Sequence, residues 1–204
     1  MSVSEKEKII ILASQSPRRA EILKKAAYHF LPFPVYVSEI PSENLSLDEQ
    51  IIDIAHRKAT ACFEKWPDKS LDAVILASDT MVCLNQKAYG KPENEQMAFE
   101  FLKKFSGQTH QVKTALILID LKTLESISHI ETCNVEFKKL QDAEIWDYIK
   151  TGEPMDKAGA YAIQGQGGKF VVKYDGEFNN IVGLPLQALE KIFMMKQWQF
   201  KKNL

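Results

Sequence analysis

Cysteine is scarce in this chain. Cys62, Cys83 and Cys133 are the three in 204 residues, and no two form a C-x-x-C pair. An odd, dispersed set argues against a disulfide framework and against structural zinc, and it points to a reducing compartment. Excess charge of either sign is also missing. Lys and Arg total 26 against 27 Asp and Glu, a formal charge of −1, so the chain has no global attraction for nucleic acid or an anionic membrane. Any polyanion must be met by a local cluster of cations. No apolar run approaches the ~20 residues of a membrane span, and the apolar residues 9–13 are too few for a signal-peptide core. The expectation is a cytoplasmic protein with neither nucleic-acid nor membrane partners. The G-x-x-x-x-G-K-[ST], G-x-G-x-x-G, G-x-S-x-G and H-E-x-x-H motifs are absent, which sets aside the corresponding phosphate loops, hydrolase elbow and zinc helix. His29, His56, His110 and His129 show no metal-ligand spacing; surface or supporting roles suit them better, with His110, beside a strand in a Gly/Ser/Thr turn, the least clear.

What is present reads as an alternation of strands and helices. Hydrophobic residues make up 45% of the chain, ordinary for a globular fold, and the length suits one domain or a two-lobed one. Strands are expected at residues 8–13, 33–38 and 73–77. A hairpin is expected over 80–84 and the Asn85-Gln86 turn, and long strands over 112–119 and 127–137. Helices are expected from Ser16-Pro17, over 47–65, 95–105 and 142–151, and after Pro185. Seven of the nine glycines fall between Gly152 and Gly183. That stretch holds too many apolar and aromatic residues for a flexible linker, so it reads as an ordered region of close backbone approach.

Several constellations carry chemistry. Ala13-Ser14-Gln15-Ser16-Pro17-Arg18-Arg19 sits where a strand gives way to a helix N-terminus. Two hydroxyls and two guanidiniums beside unpaired N–H groups make an anion cradle without a glycine loop, although a capped helix with solvated arginines is the blander reading. Lys58 falls about 20° outside the stripe of Ile51, Ala55 and Cys62 at 100° per residue; it either snorkels to water or enters a cleft. Ser78-Asp79-Thr80 places a carboxylate after an apolar strand, a position suited to holding a divalent metal or activating water, or to a simple turn. Gly90-Lys91-Pro92 adds a turn lysine. The Gly152-to-Gly168 stretch contains Lys157 and Gln164, whose amide is capable of reading a base edge. Glu43 and Asp79 are the candidate metal carboxylates. Dispersed cations and carboxylates of this kind are what a polyphosphate binder needs.

The order of these blocks resembles the Maf family of nucleotide pyrophosphatases, over residues 9–189. The resemblance rests on Ala13-Ser-Gln-Ser-Pro-Arg-Arg19, Ala55-His-Arg-Lys-Ala59, Ser78-Asp-Thr80, Gly90-Lys-Pro92, Ser106-Gly-Gln-Thr-His110, Asp156-Lys-Ala-Gly-Ala-Tyr161, Ile163-Gln-Gly165 and Val182-Gly-Leu-Pro185. It implies a single domain over 1–204, an elongated mixed α/β sheet in two lobes around a cleft, like the inosine-triphosphatase-type pyrophosphatases. It implies hydrolysis of nucleoside triphosphates to monophosphate and pyrophosphate with Mg²⁺ or Mn²⁺, often by a homodimer. Asp79 is then the general base and a metal carboxylate, and Ser14, Arg19, Lys58 and Lys91 bind the phosphates, with Ser16 and Lys157 beside them. Arg18, Thr80 and Gln164 mark the subgroup acting on dTTP and UTP. Two departures stand out: Ala77-Ser78 replaces the usual Gly-Ala, and the acidic residue after the second strand is either Glu43, the preferred choice, or Glu39. The rivals are a non-catalytic nucleotide-binding regulator of cell division, and an enzyme of the same fold acting on modified pyrimidine triphosphates.

Overall fold

Four aliphatic residues, Ile9–Leu12, form strand β1 of the computed structural model, which describes residues 7–42 and 44–203. Helix α1 (Pro17–Lys25) follows with Pro17 in its first turn and Ser16 at its N-cap, although the Ser16 side chain makes no capping bond. Then come β2 (Phe30–Pro32), α2 (Leu47–Lys65), β3 (Ala73–Leu84), β4 (Lys87–Tyr89), α3 (Glu95–Phe105), β5 (Thr109–Asp120), β6 (Ser126–Phe137), α4 (Asp142–Ile149), three 3-10 turns within 153–170, β7 (Val171–Asp175), α5 (Phe178–Val182) and α6 (Leu186–Met195). None of these helices is long and apolar enough to cross a membrane.

The strands form a seven-stranded mixed sheet in the order β2-β1-β3-β5-β6-β7, with β4 paired to β3. Strand β1 runs parallel to both neighbours, Ile10 lying opposite Phe30 and Val74. Strands β4 and β7 run antiparallel to β3 and β6. The mixed α/β class is thus the one the sequence implies.

Two expected strands are corrected. Residues 33–38 are not a strand; β2 lies earlier, at Phe30–Pro32. The last ladder bond runs from Phe33 N–H to the Leu12 carbonyl at 2.9 Å, and Pro34, lacking an N–H, cannot continue it. Residues 73–77 and 80–84 are not separate strands but one, β3. Its central polar residues do not break it because each finds a partner: Ser78 Oγ donates to the Gly183 carbonyl at 3.3 Å, and Asp79 and Thr80 are bonded as described below.

The chain divides into two compact units. The first takes the described residues up to Asp79, Ala115–Ile130 and those from Gly183 onward; its buried residues include Ile10, Ile11, Leu23, Ile51, Ile75, Leu76 and Leu189. The second takes Thr80–Thr114 and Glu131–Val182, around a core of Val82, Phe101, Leu102, Phe105, Phe137, Tyr148 and Phe170. All three cysteines are buried and free.

Candidate active site

In the first unit, helix α2 begins at a capping box. Glu49 N–H donates to Ser46 Oγ, and the Glu49 carboxylate accepts from Ser46 N–H at 2.8 Å. Its buried face comprises Ile51, Ile54, Ala55, Ala59 and Cys62, and also Lys58. Lys58 is 7% exposed, so it does not snorkel. Its ammonium lies 2.6 Å from Asp79 Oδ1 and 2.6 Å from Glu39 Oε1. A buried ammonium is tolerable only with such partners.

Glu39 is held by the neighbouring residue of the same helix. Arg57 donates to the carbonyls of Ser38 and Ile40, on either side of Glu39, and pairs with Asp53 at 3.0 Å. The carbonyl of Val35, in the same segment, accepts from Gln15 Nε2 at 3.1 Å. Glu43, the preferred metal carboxylate in the sequence reading, lies outside the described residues. Its rival Glu39 is the residue that meets Lys58.

Arg19 is buried at the start of α1. Its Nε donates to the Gly183 carbonyl at 2.8 Å, and a terminal nitrogen donates to Ser14 Oγ at 3.1 Å. Ser14 Oγ also accepts from Ser16 N–H at 3.1 Å. Burial lowers the Arg19 pKa from its usual range, the nearby charges of Asp79 and Glu39 pull it back up, and Arg18 lowers it. Ser14, Arg19, Lys58, Asp79 and Glu39 are therefore one electrostatic cluster. Arg18 and Ser16 lie beside it in sequence and are partly exposed.

The remaining predicted residues belong to the second unit. Thr80 Oγ1 lies 3.0 Å from Thr114 Oγ1, and Thr114 donates its only hydroxyl proton to the Asn180 carbonyl at 3.0 Å. Thr80 must then be the donor of its pair. Lys91 is exposed in the turn after β4. Gly159 N–H donates to the Gly90 carbonyl at 3.0 Å, which joins the Gly90-Lys91 turn to the stretch containing Lys157. Lys157 pairs with Asp156. Gln164 is exposed at the tip of a tight loop.

Residues 9–195 match the family described as Maf-like protein. The chain belongs to that family. Among its relatives, the dTTP/UTP pyrophosphatase of Bdellovibrio bacteriovorus is 48% identical over 184 residues, covering 90% of this chain and 96% of that one. The dTTP/UTP pyrophosphatase of Caldicellulosiruptor saccharolyticus is 40% identical over 196 residues, covering 96% and 98%. Among solved structures, the Ham1 protein of Staphylococcus aureus matches over 93% of this chain and 100% of its own, with a TM-score of 0.51 at 15% identity. That likeness speaks for the fold alone.

Three groups with well-defined partners escaped the sequence reading, two in the first unit and one in the second. The Gly183 carbonyl receives both Arg19 and Ser78; a backbone acceptor has no side-chain signature, and the Val182-Gly-Leu-Pro185 block was its only trace. Arg57 stood beside Lys58 in the same helical turn, but its partners lie in a loop with no periodicity. Glu153 lies inside the glycine-rich stretch, where an acid among glycines was the available signal.

Proposed function

We propose that the chain hydrolyses dTTP and UTP to the nucleoside monophosphate and pyrophosphate, as one catalytic domain spanning the chain. The observation that carries this reading is the Asp79–Lys58–Glu39 cluster with Arg19 and Ser14 beside it, in a chain whose relatives bear that activity in their names. In this reading water attacks the α-phosphorus in line; a bond from the water oxygen to phosphorus forms as the bond to the bridging α–β oxygen breaks, and pyrophosphate leaves. Asp79 accepts the proton of the attacking water. Lys58, Arg18, Arg19 and Lys91 offset the charge on the phosphate oxygens, with hydroxyls from Ser14 and Ser16 and the ammonium of Lys157 in support. Phosphoryl transfer asks for positioning and electrostatics above all, and this residue set supplies both. Thr80 and Gln164 select the pyrimidine base.

The donors also fit a divalent cation. Asp79 and Glu39 are hard carboxylates that share Lys58 as a partner; among the described residues no three His, Cys, Asp or Glu side chains form a complete metal cage, and two carboxylates completed by substrate phosphates are a typical magnesium environment. Mg²⁺ or Mn²⁺ held there would neutralise phosphate charge and lower the pKa of bound water. The reading includes a cytoplasmic homodimer, its compartment supported by three free, buried cysteines.

The test is pyrophosphate release from dTTP, UTP, CTP, GTP and ATP, with Mg²⁺ and with Mn²⁺, for the wild type and Asp79→Asn. Release is expected from dTTP and UTP, and it should fall at least the ~10²–10⁴-fold typical of a lost general base in the variant. Near-normal turnover by folded Asp79→Asn would sink the assignment of the base. A flat panel from folded wild type would favour a nucleotide-binding regulator.

A further inference from the structure

Glu153 opens the first 3-10 turn after α4, following Gly152 at φ +75°. Its carboxylate is held by one short stretch of chain and one tyrosine. Oε1 accepts from Tyr148 O–H at 2.8 Å and from Gly167 N–H at 3.1 Å, and Oε2 accepts from Gln166 N–H at 3.0 Å. Burial by itself would raise the carboxyl pKa. The donors from Gln166, Gly167 and Tyr148, with Lys157 nearby, outweigh that and hold the pKa below the ordinary glutamate range, so the group is anionic at neutral pH.

The same stretch is pinned from its other end. Ala162 N–H donates to Tyr148 Oη at 3.3 Å, so Tyr148 bridges Glu153 and Ala162. Within the stretch, Gly165 N–H reaches the Ala162 carbonyl at 3.2 Å and Gly168 N–H reaches the Gly165 carbonyl at 3.1 Å. The packing leaves no room for side chains. A Cβ at Gly165 would lie 2.4 Å from Glu153 Oε1, one at Gly167 would lie 2.7 Å from Tyr148 Oη, and one at Gly168 would lie 2.5 Å from the Ile163 carbonyl. The glycines are there to let the backbone close on a carboxylate and a phenol. Gln164 sits between the two anchor points, exposed, on a backbone fixed on both sides.

We propose that Glu153 is a positioning residue for base selection: its carboxylate fixes the backbone of residues 162–168 and thereby aims the Gln164 amide. This rests on the reading of Gln164 as the base-reading residue. An amide aimed by a rigid backbone distinguishes bases by paired donors and acceptors, whereas the same amide on a loose loop adapts to the wrong base. Glu153→Gln keeps the size but replaces one acceptor oxygen by NH₂. Whichever way that amide turns, a donor then faces a backbone N–H donor, and the clamp opens on one side.

The experiment compares kcat and KM for dTTP, UTP and CTP in the wild type, Glu153→Gln, Gln164→Ala and the double variant, with amide hydrogen exchange on the nucleotide-free proteins. Glu153→Gln is expected to raise KM for dTTP and to reduce the dTTP-over-CTP preference about 10- to 100-fold, the scale of a misaligned contact, while kcat changes far less. The double variant is expected to lose no more preference than Gln164→Ala alone, because Glu153 acts through Gln164. Exchange at Gln166 and Gly167 should accelerate at least about tenfold in Glu153→Gln, from the loss of their acceptor. If Glu153→Gln does not fold, Tyr148→Phe, which keeps the ring against Phe170 and removes the bridge to Ala162, should show the same change in preference with smaller amplitude. An unchanged preference in a folded clamp variant, or fully additive losses in the double variant, would overturn the proposal while leaving the wild-type activity standing. A wild type without activity toward dTTP would overturn the functional reading and this one with it.

Discussion

His110 shows how a single residue's role depends on what surrounds it. Its ring is buried against Phe105, at 4.6 Å between centroids, and its Nε2 lies 2.8 Å from Tyr161 Oη. Its Nδ1 is buried without a partner. Burial lowers its pKa from 6.5 to about 4. The folded protein therefore binds fewer protons than the unfolded chain between those values. The contribution of His110 to stability is fully present above pH 6.5 and is lost as the pH drops toward 4, by an amount on the order of 3 kcal/mol. Urea midpoints measured from pH 7.5 to 4.5 should fall more steeply in wild type than in His110→Phe, whatever the variant's absolute stability. Parallel pH profiles would show that His110 is not the titrating group. Sequence pattern located this residue beside a strand, but not its burial, because the aromatic box is assembled from α3, β6 and the 158–161 turn. Lys58 presents the same difficulty. Helical angles put it on the edge of the apolar stripe, and only its two carboxylate partners decided that it turns inward.

At the scale of elements, local signals were strongest where capping chemistry acts. Helices α2 and α3 begin and end at the expected residues because Ser46 and Asn94 accept first-turn N–H groups and Pro67 follows α2 closely. Residues 33–38 read as a strand, yet Pro34 lacks the N–H to continue the ladder and Arg57 engages the Ser38 and Ile40 carbonyls instead. Helix α2 thus organises the Asp79–Lys58–Glu39 cluster twice, through Lys58 directly and through Arg57 by way of the Glu39 segment. Arg57→Met should leave the melting temperature close to wild type, since the side chain is partly exposed and its loss empties no core. It should lower pyrophosphate release about tenfold by loosening Glu39. Activity equal to wild type would mean that the Glu39 segment needs no such tether.

The whole molecule combines near-neutral charge with free thiols that sit in both units, Cys62 in the first and Cys83 and Cys133 in the second. Charge balance explains why nothing global in the sequence announced a polyanion ligand: Arg19 and Lys58, far apart along the chain, come to one charged cluster only in the folded first unit. Burial pushes the Cys62 thiol up to about 12, so its thiolate is negligible at neutral pH and the folded protein should resist a thiol reagent. In urea all three cysteines should react; under native conditions labelling should wait on opening of the structure. Where opening is rapid and reversible, the rate follows the open population. A non-hydrolysable dTTP analogue with Mg²⁺ at about 100 times its dissociation constant should then slow labelling about a hundredfold wherever opening abolishes binding. The CTP analogue at the same concentration should slow it much less, and mass spectrometry of each cysteine would report the effect unit by unit. Rapid labelling of the free protein would contradict the burial of the thiols. Slow labelling that the dTTP analogue leaves unchanged at all three would contradict a nucleotide site coupled to the fold.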